Sequence, residues 1–156
     1  MQIRRAKECD IPMLNKLLYQ VCMVHHLGRP DLFAKGGKKY TDGELLQLLS
    51  DEERPIFVAT DDEDQVLGYA FCIFERHTEG GALNPFTTLY IDDLCVDETK
   101  RGQHIGKKLY EFVVKFAKEE GCYNLKLNVW SCNESAMKFY EKCGLVPQKI
   151  GMEYIL

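Results

Sequence analysis

Apolar residues recur along this chain in two periods, and the switches between them outline a fold. Ile11, Leu14, Leu18 and Val21, with Leu17 and Val24 beside them, fall at helical spacing. Asp10 and Pro12 mark the start of that helix, which is predicted to end at about Val24. Thr41 and Glu44 are spaced as a capping box and open a short helix through Leu49. A third helix, over 103–120, carries Ile105, Leu109, Phe112, Val113 and Phe116 on one face and stops at Gly121. A fourth begins at Asn133, presents Ala136, Phe139, Tyr140 and Cys143, and stops at Gly144. Alternating or continuous apolar runs predict strands at 2–5, 55–60, 66–75, 88–96 and 123–130, with one or two more in 145–156, interrupted around Gly151. The acidic stretch 61–65 reads as the turn of a hairpin, and 77–86, with Gly80, Gly81 and Pro85, as a loop. The order β, α, α, β, β, β, α, β, α, β lacks the strict alternation of a doubly wound sheet, so it predicts a mixed α+β sheet.

Between the first two helices, 25–40 has glycines, a proline and no periodicity, and irregular segments of that length are often functional. It is read as a lid whose His25, His26, Arg29, Asp31, Phe33 and Tyr40 line an acceptor pocket. The alternative is that Leu32 and Phe33 simply tuck the loop onto the core.

Composition narrows the function. The 156 residues, 46% hydrophobic, suffice for one domain, 1–156, that buries a core without staples. A net charge of −4 gives no global field to attract nucleic acid or an anionic membrane. Any polyanion site must therefore be local, and from Lys100 to Glu120 six Lys or Arg stand against three Glu. The seven cysteines form no CxxC or zinc-like cluster, which predicts reduced, mostly buried thiols in a cytoplasmic protein and no metal site. The first ten residues are polar, so no secretory leader is expected, and no apolar run approaches bilayer-spanning length.

That local charge falls on a strand–loop–helix junction, Tyr90 to Lys108. A helix N-terminus offers an anion unpaired backbone N–H groups and the positive end of the dipole. Gly102 and Gly106 allow close approach, while Arg101, Lys107 and Lys108 add charge. A Walker A loop needs four residues between its glycines and a Ser or Thr after its Lys, and neither is present. A Rossmann fingerprint needs three glycines after the first strand, and this loop comes late. An ordinary helix N-terminus with a basic first turn is the bland alternative.

Arg101, Gly102, Gln103, His104, Ile105 and Gly106 resemble the acyl-coenzyme A loop of the GNAT superfamily of N-acetyltransferases, with His104 standing where its first motif glycine is expected. Asn133, Ala136, Phe139, Tyr140 and Gly144 resemble the superfamily's second block. The resemblance spans about 55–147 and implies a GNAT fold: a twisted sheet of about six to seven strands, splayed at the cofactor site and flanked by about four helices. It implies acetyl-CoA as cofactor and direct transfer of the acetyl group to a primary amine in a ternary complex. By the same resemblance the backbone of Leu94, Cys95 and Val96 pairs with the pantetheine arm. Arg101 to Lys107 hold the pyrophosphate, Asn133 bonds the cofactor, and Tyr140 is the acid beside the thioester sulfur.

Polarisation of the carbonyl falls to a backbone N–H near Cys95, whose thiol is read as strand packing because no His and acid lie nearby to activate it. Asp92 and Asp93 are consecutive on a strand, so at most one is expected to face the cleft. IDDLCV resembles the strand of polyamine and glucosamine-6-phosphate acetyltransferases, which by that match makes Asp92 the base, through water, with Asp93, Glu75 or water alone as alternatives. The acceptor implied is a small amine such as a polyamine, lined by His26, Arg29, Phe33 and Trp130. A protein lysine or N-terminus, and a non-catalytic acyl-CoA sensor, are the competing readings. Dimers are frequent in the superfamily, and a last strand over 152–156 is a candidate for pairing in a homodimer.

Overall fold

In the computed structural model, which describes residues 1–82 and 84–156, five strands lie in one sheet in chain order. They are β1 (Gln2–Arg5), β2 (Ile56–Thr60), β3 (Val66–His77), β4 (Phe86–Val96) and β5 (Asn124–Leu127). The first four are antiparallel neighbours, and β5 joins β4 in parallel. A parallel neighbour requires a crossover, which α3 (Ile105–Glu119) provides. α1 (Ile11–Gly28) and α2 (Asp42–Leu49) connect β1 to β2, and α4 (Glu134–Lys142) follows β5.

The apolar stripes read from the sequence settle which helix covers which face. Leu14, Leu17 and Leu18 of α1 and Leu45 and Leu48 of α2 pack on Val58, Tyr69, Phe71 and Cys95. Ile105, Leu109, Val113 and Ala117 of α3 pack on the opposite face, against Phe57, Ala70, Cys72, Leu89 and Ile91. α4 buries none of its residues.

Several expectations change. The first helix continues to Gly28, which puts His25 and His26 in its last turn, where basic side chains complement the dipole. The irregular segment therefore shortens to 29–41. The capping box forms as read, with the Glu44 N–H donating to Thr41 Oγ1 at 3.2 Å and the Thr41 N–H donating to Glu44 at 2.7 Å. The fifth strand is confined to Asn124–Leu127, which leaves Tyr123 and Trp130 outside it, 78% and 42% exposed. Residues 145–156 form no strand, so the sheet has five strands instead of six or seven. Their alternation is present, but the outer edge of β5 stays unpaired. The loop expected over 77–86 spans 78–85, of which Leu83 lies outside the described residues. Among the described residues no helix is long and apolar enough to cross a membrane.

Candidate acyl-transfer site

β4 changes character halfway along. Its register pairs Cys72 with Ile91 but Phe71 with Asp93, which leaves Asp92 as an extra residue, a β-bulge. Before the bulge Leu89 and Ile91 point into the α3 layer; after it Leu94 and Val96 do. The alternation has slipped by one residue, so Asp92 and Asp93 both point toward the α1 and α2 side. This corrects the expectation that strand neighbours must diverge. Lys39 Nζ reaches both carboxylates, 3.0 Å from Asp92 and 4.0 Å from Asp93. The Tyr40 hydroxyl donates to Asp92 at 3.2 Å and the Tyr69 hydroxyl donates to Asp93 at 2.9 Å.

The two carboxylates are not equivalent. Burial raises Asp93 to about 6, against the opposing pull of the Lys39 ammonium and the Tyr69 hydrogen bond. Tyr140 lies close enough to feel the Asp93 charge; burial first, and that charge second, raise its phenol, so it is held protonated. Its ring lies 5.0 Å from Phe139 and 6.4 Å from Tyr110. Asn133 caps α4, accepting the Ala136 N–H at 3.1 Å, which orients the helix that carries Tyr140. Glu75 is drawn away: it sits opposite Thr88, upstream of the bulge, and its carboxylate lies 2.5 Å from Lys126. Burial pushes the Cys95 thiol up to about 12, so Cys95 is protonated packing.

The bulge also opens the sheet. The β4–β5 ladder runs from Thr88–Asn124 to Ile91–Leu127 and goes no further. Among the described residues the outer edge at Leu94, Cys95 and Val96 thus has no strand beside it, while its inner edge stays paired to Gly68, Tyr69 and Ala70. Gly68 is required there, since a Cβ would lie 2.6 Å from the Cys95 carbonyl oxygen. The loop that follows is pinned by Asp97, which is buried and accepts from the Thr99 N–H at 2.9 Å and from Lys16 Nζ at 2.8 Å. Those bonds, the Lys16 one first, hold its carboxyl well below the usual carboxylate range. Gln20 accepts the Glu98 N–H at 3.1 Å, so α1 braces the loop from behind.

The loop ends in two left-handed residues, Gly102 at φ 78° and His104 at φ 59°, the latter capping α3. The backbone of His104 is therefore left-handed instead of helical, which is the physical reason a glycine is expected there. Its side chain is exposed, as are Arg101, Gln103, Lys107 and Lys108, while Ile105 is buried as the anchor. At Gly106 a Cβ would lie 3.5 Å from Val96 and 3.7 Å from Phe139. A free strand edge leading into a basic row of N–H groups fits a pantetheine arm followed by a pyrophosphate.

Of the acceptor residues read from the sequence, the structure gathers His25, His26 and Trp130 around Phe33 and sets Tyr40 on Asp92. Phe33 stacks edge-on to Trp130 at 5.1 Å, and its carbonyl oxygen lies 2.7 Å from His26 Nδ1. Arg29 goes elsewhere, paired with Asp31 and with Glu153. Lys39, Tyr69, Gly68, Asp97 and Lys16 were not singled out by sequence reasoning. The Asp-x-Thr of 97–99 was a legible turn cap, whereas nothing in periodicity marks Lys39. Among the described residues no group of His, Cys, Asp or Glu is arranged to hold a metal ion.

Residues 22–145 match the acetyltransferase (GNAT) family. A probable glucosamine 6-phosphate N-acetyltransferase of Drosophila melanogaster is 25% identical over 94% of this chain and 61% of its own length. A thialysine N-epsilon-acetyltransferase of Bos taurus is 34% identical over 51% of this chain and 44% of its own. The chain thus spans less than two thirds of these curated relatives. The crystal structure of a mutant of the BH1408 protein from Bacillus halodurans, 28% identical, superposes with a TM-score of 0.95 over 100% of this chain and 99% of that one. The split sheet, the left-handed basic loop and the family match agree, and the chain belongs to the GNAT acetyltransferase family.

Proposed function

We propose that this protein transfers acetyl from acetyl-CoA to a small primary amine, and that the acceptor carries its amine at the end of a flexible aliphatic stem, as a polyamine does. The observation that carries this reading is the Lys39 ammonium, held by Asp92 and Asp93 beside the open edge of β4. An ammonium on a four-carbon stem already fits the place where the acceptor amine must lose its proton. The relatives include a thialysine N-epsilon-acetyltransferase and, in Salmonella typhimurium, a peptidyl-lysine N-acetyltransferase 33% identical over 65% of this chain, beside several glucosamine 6-phosphate N-acetyltransferases.

Acetyl-CoA, when bound, supplies the acetyl group as a thioester. The Leu94 to Val96 edge would hold the pantetheine amides, and Arg101 to Lys107 the pyrophosphate, with Asn133 nearby. The incoming amine displaces Lys39 from the carboxylates. Asp93, at about 6, is ionised at neutral pH yet basic enough to take the amine proton, whereas Asp92 serves to attract the cation. Tyr140 stays protonated and so can donate to the departing sulfur. Phe33 and Trp130 would form an apolar wall for the stem. This assigns to Asp93 the role that the sequence comparison had given to Asp92, because burial distinguishes them.

The lysine-side-chain acceptor is the second reading, favoured by the same Lys39 geometry. The test is thiol release from acetyl-CoA with a panel of polyamines, lysine-like amino acids, lysine peptides and amino sugars. Release with polyamines is expected. Release only with lysine peptides selects the second reading, and tight cofactor binding without any release would leave a sensor.

A further inference from the structure

Lys39 is not placed as a surface lysine usually is. Its Nζ lies 3.0 Å from Asp92 and 4.0 Å from Asp93, and its side chain is 35% exposed, against 58% for its neighbour Lys38, which pairs with Asp42. Tyr40 fixes the backbone beside it: the ring stacks on Phe71 at 5.8 Å and the hydroxyl donates to Asp92 at 3.2 Å. The Lys39 ammonium sits over that ring, 5.5 Å from its centre. Thr41 then caps α2, so the chain is held from the other side as well.

What the ammonium is held against matters more. Moving an acetyl group onto an amine needs the amine, a base for its proton and an acid for the departing sulfur. Asp93 and Tyr140 supply the last two in the reading above, and the Asp93 charge acts on both Tyr140 and Lys39. An amine is thus already present on the same chain, with its base at 4.0 Å. It reaches the site without diffusion, which is a large advantage over a free amine.

We propose that Lys39 is itself an acceptor, and that without a free amine the chain acetylates its own Lys39. The inference rests on the acetyl-transfer reading of this site. Lys39 Nζ, as an ammonium, gives up two protons. One passes to Asp93 and on to solvent; the nitrogen then bonds to the thioester carbonyl carbon as the carbon–sulfur bond breaks. The sulfur takes the Tyr140 proton and leaves as the thiol, and the second proton from the nitrogen restores Tyr140 through water. Burial works against the Lys39 charge, yet the carboxylates outweigh it and hold the ammonium above its ordinary range. Removing that proton is uphill, so the modification is slow beside turnover, and it need occur only once per chain. It takes away the charge that Asp92 and Asp93 attract, and so clears an internal competitor from the acceptor's place.

The test is to incubate the full chain with acetyl-CoA alone and to map its lysines by peptide mass spectrometry. One acetyl group on Lys39 is expected, formed at a rate per chain that does not change on dilution, with Lys38 labelled far more slowly. Uncatalysed acetylation would favour the more exposed Lys38, so a preference for Lys38, or a rate that rises with chain concentration, overturns the proposal. Asp93→Asn should cut the Lys39 label about 10²-fold and leave the Lys38 label as it was; an undiminished Lys39 label overturns it. A second readout needs no acetyl-CoA. Lys39 is the cation among the groups that face Asp93, with Asp92 and Cys95 on β4, Tyr69 on β3, Cys22 on α1 and Tyr140 on α4. Lys39→Gln should therefore raise the Asp93 midpoint above about 6 in carboxyl-carbon NMR, and an unmoved midpoint overturns the placement on which the proposal stands. Spermidine turnover without acetyl on Lys39 overturns this inference and leaves the proposed function standing. Acetyl on Lys39 with no turnover of spermidine supports it and removes the polyamine acceptor.

Discussion

The two halves of β4 share one strand and have opposite jobs. Upstream of Asp92 the strand is held on both sides, by β3 and by β5, and its Leu89 and Ile91 are buried under α3. Downstream it keeps one neighbour, its carboxylates meet Lys39, and its outer edge has no strand beside it among the described residues. The ladder and the core make the first half rigid, and that rigidity lets the second half leave backbone groups unpaired. One inserted residue, Asp92, separates the two halves.

If that division holds, substitutions on the two halves should fail in different ways. The largest effect is expected from Asp93→Asn, which should lower kcat/KM by about 10²-fold or more, as loss of a general base does. In the unaltered protein kcat/KM should rise as pH passes through about 6, the point at which Asp93 ionises, and this limb should vanish in the variant. The linkage has the opposite sign for stability. The folded chain holds this proton more tightly than the unfolded one, so Asp93 favours folding at low pH and loses that contribution as pH rises through about 6. A pH profile unchanged by the substitution would remove Asp93 from the role. Tyr140→Phe should cost a comparable or smaller factor, about 10²-fold in kcat, while calorimetric affinity for acetyl-CoA stays the same. Lost affinity would instead make Tyr140 a binding residue.

Upstream, Leu89→Ala should lower unfolding free energy by ~2–5 kcal/mol, read from the denaturant midpoint, and leave the pH profile intact. Gly68→Ala crosses the division. It presses on the Cys95 carbonyl, so it should cost ~1–3 kcal/mol and weaken cofactor binding too. The smallest effect is expected at His104→Gly, a stabilisation of ~1 kcal/mol in thermal unfolding from relief of the left-handed backbone. A destabilised His104→Gly would mean that the imidazole makes a compensating contact.

The sequence by itself determined which segments become helices and which faces of them are buried, because the apolar stripes at Leu14, Leu17 and Leu18 and at Ile105, Leu109 and Val113 are local patterns that packing only has to honour. It also marked the basic loop at 101–108 as a local cluster of glycines and cationic side chains. That Asp92 and Asp93 share one side of the sheet was not legible, since a bulge arises from the register between two strands and IDDLCV reads as plain alternation. Lys39 was hidden for a related reason: a loop residue 53 positions from Asp92 meets it only through the path of the chain. The last strand failed differently. Its alternation was present at Ile150, Met152 and Tyr154, but a strand exists only beside a neighbour, and tertiary structure decides whether one is offered.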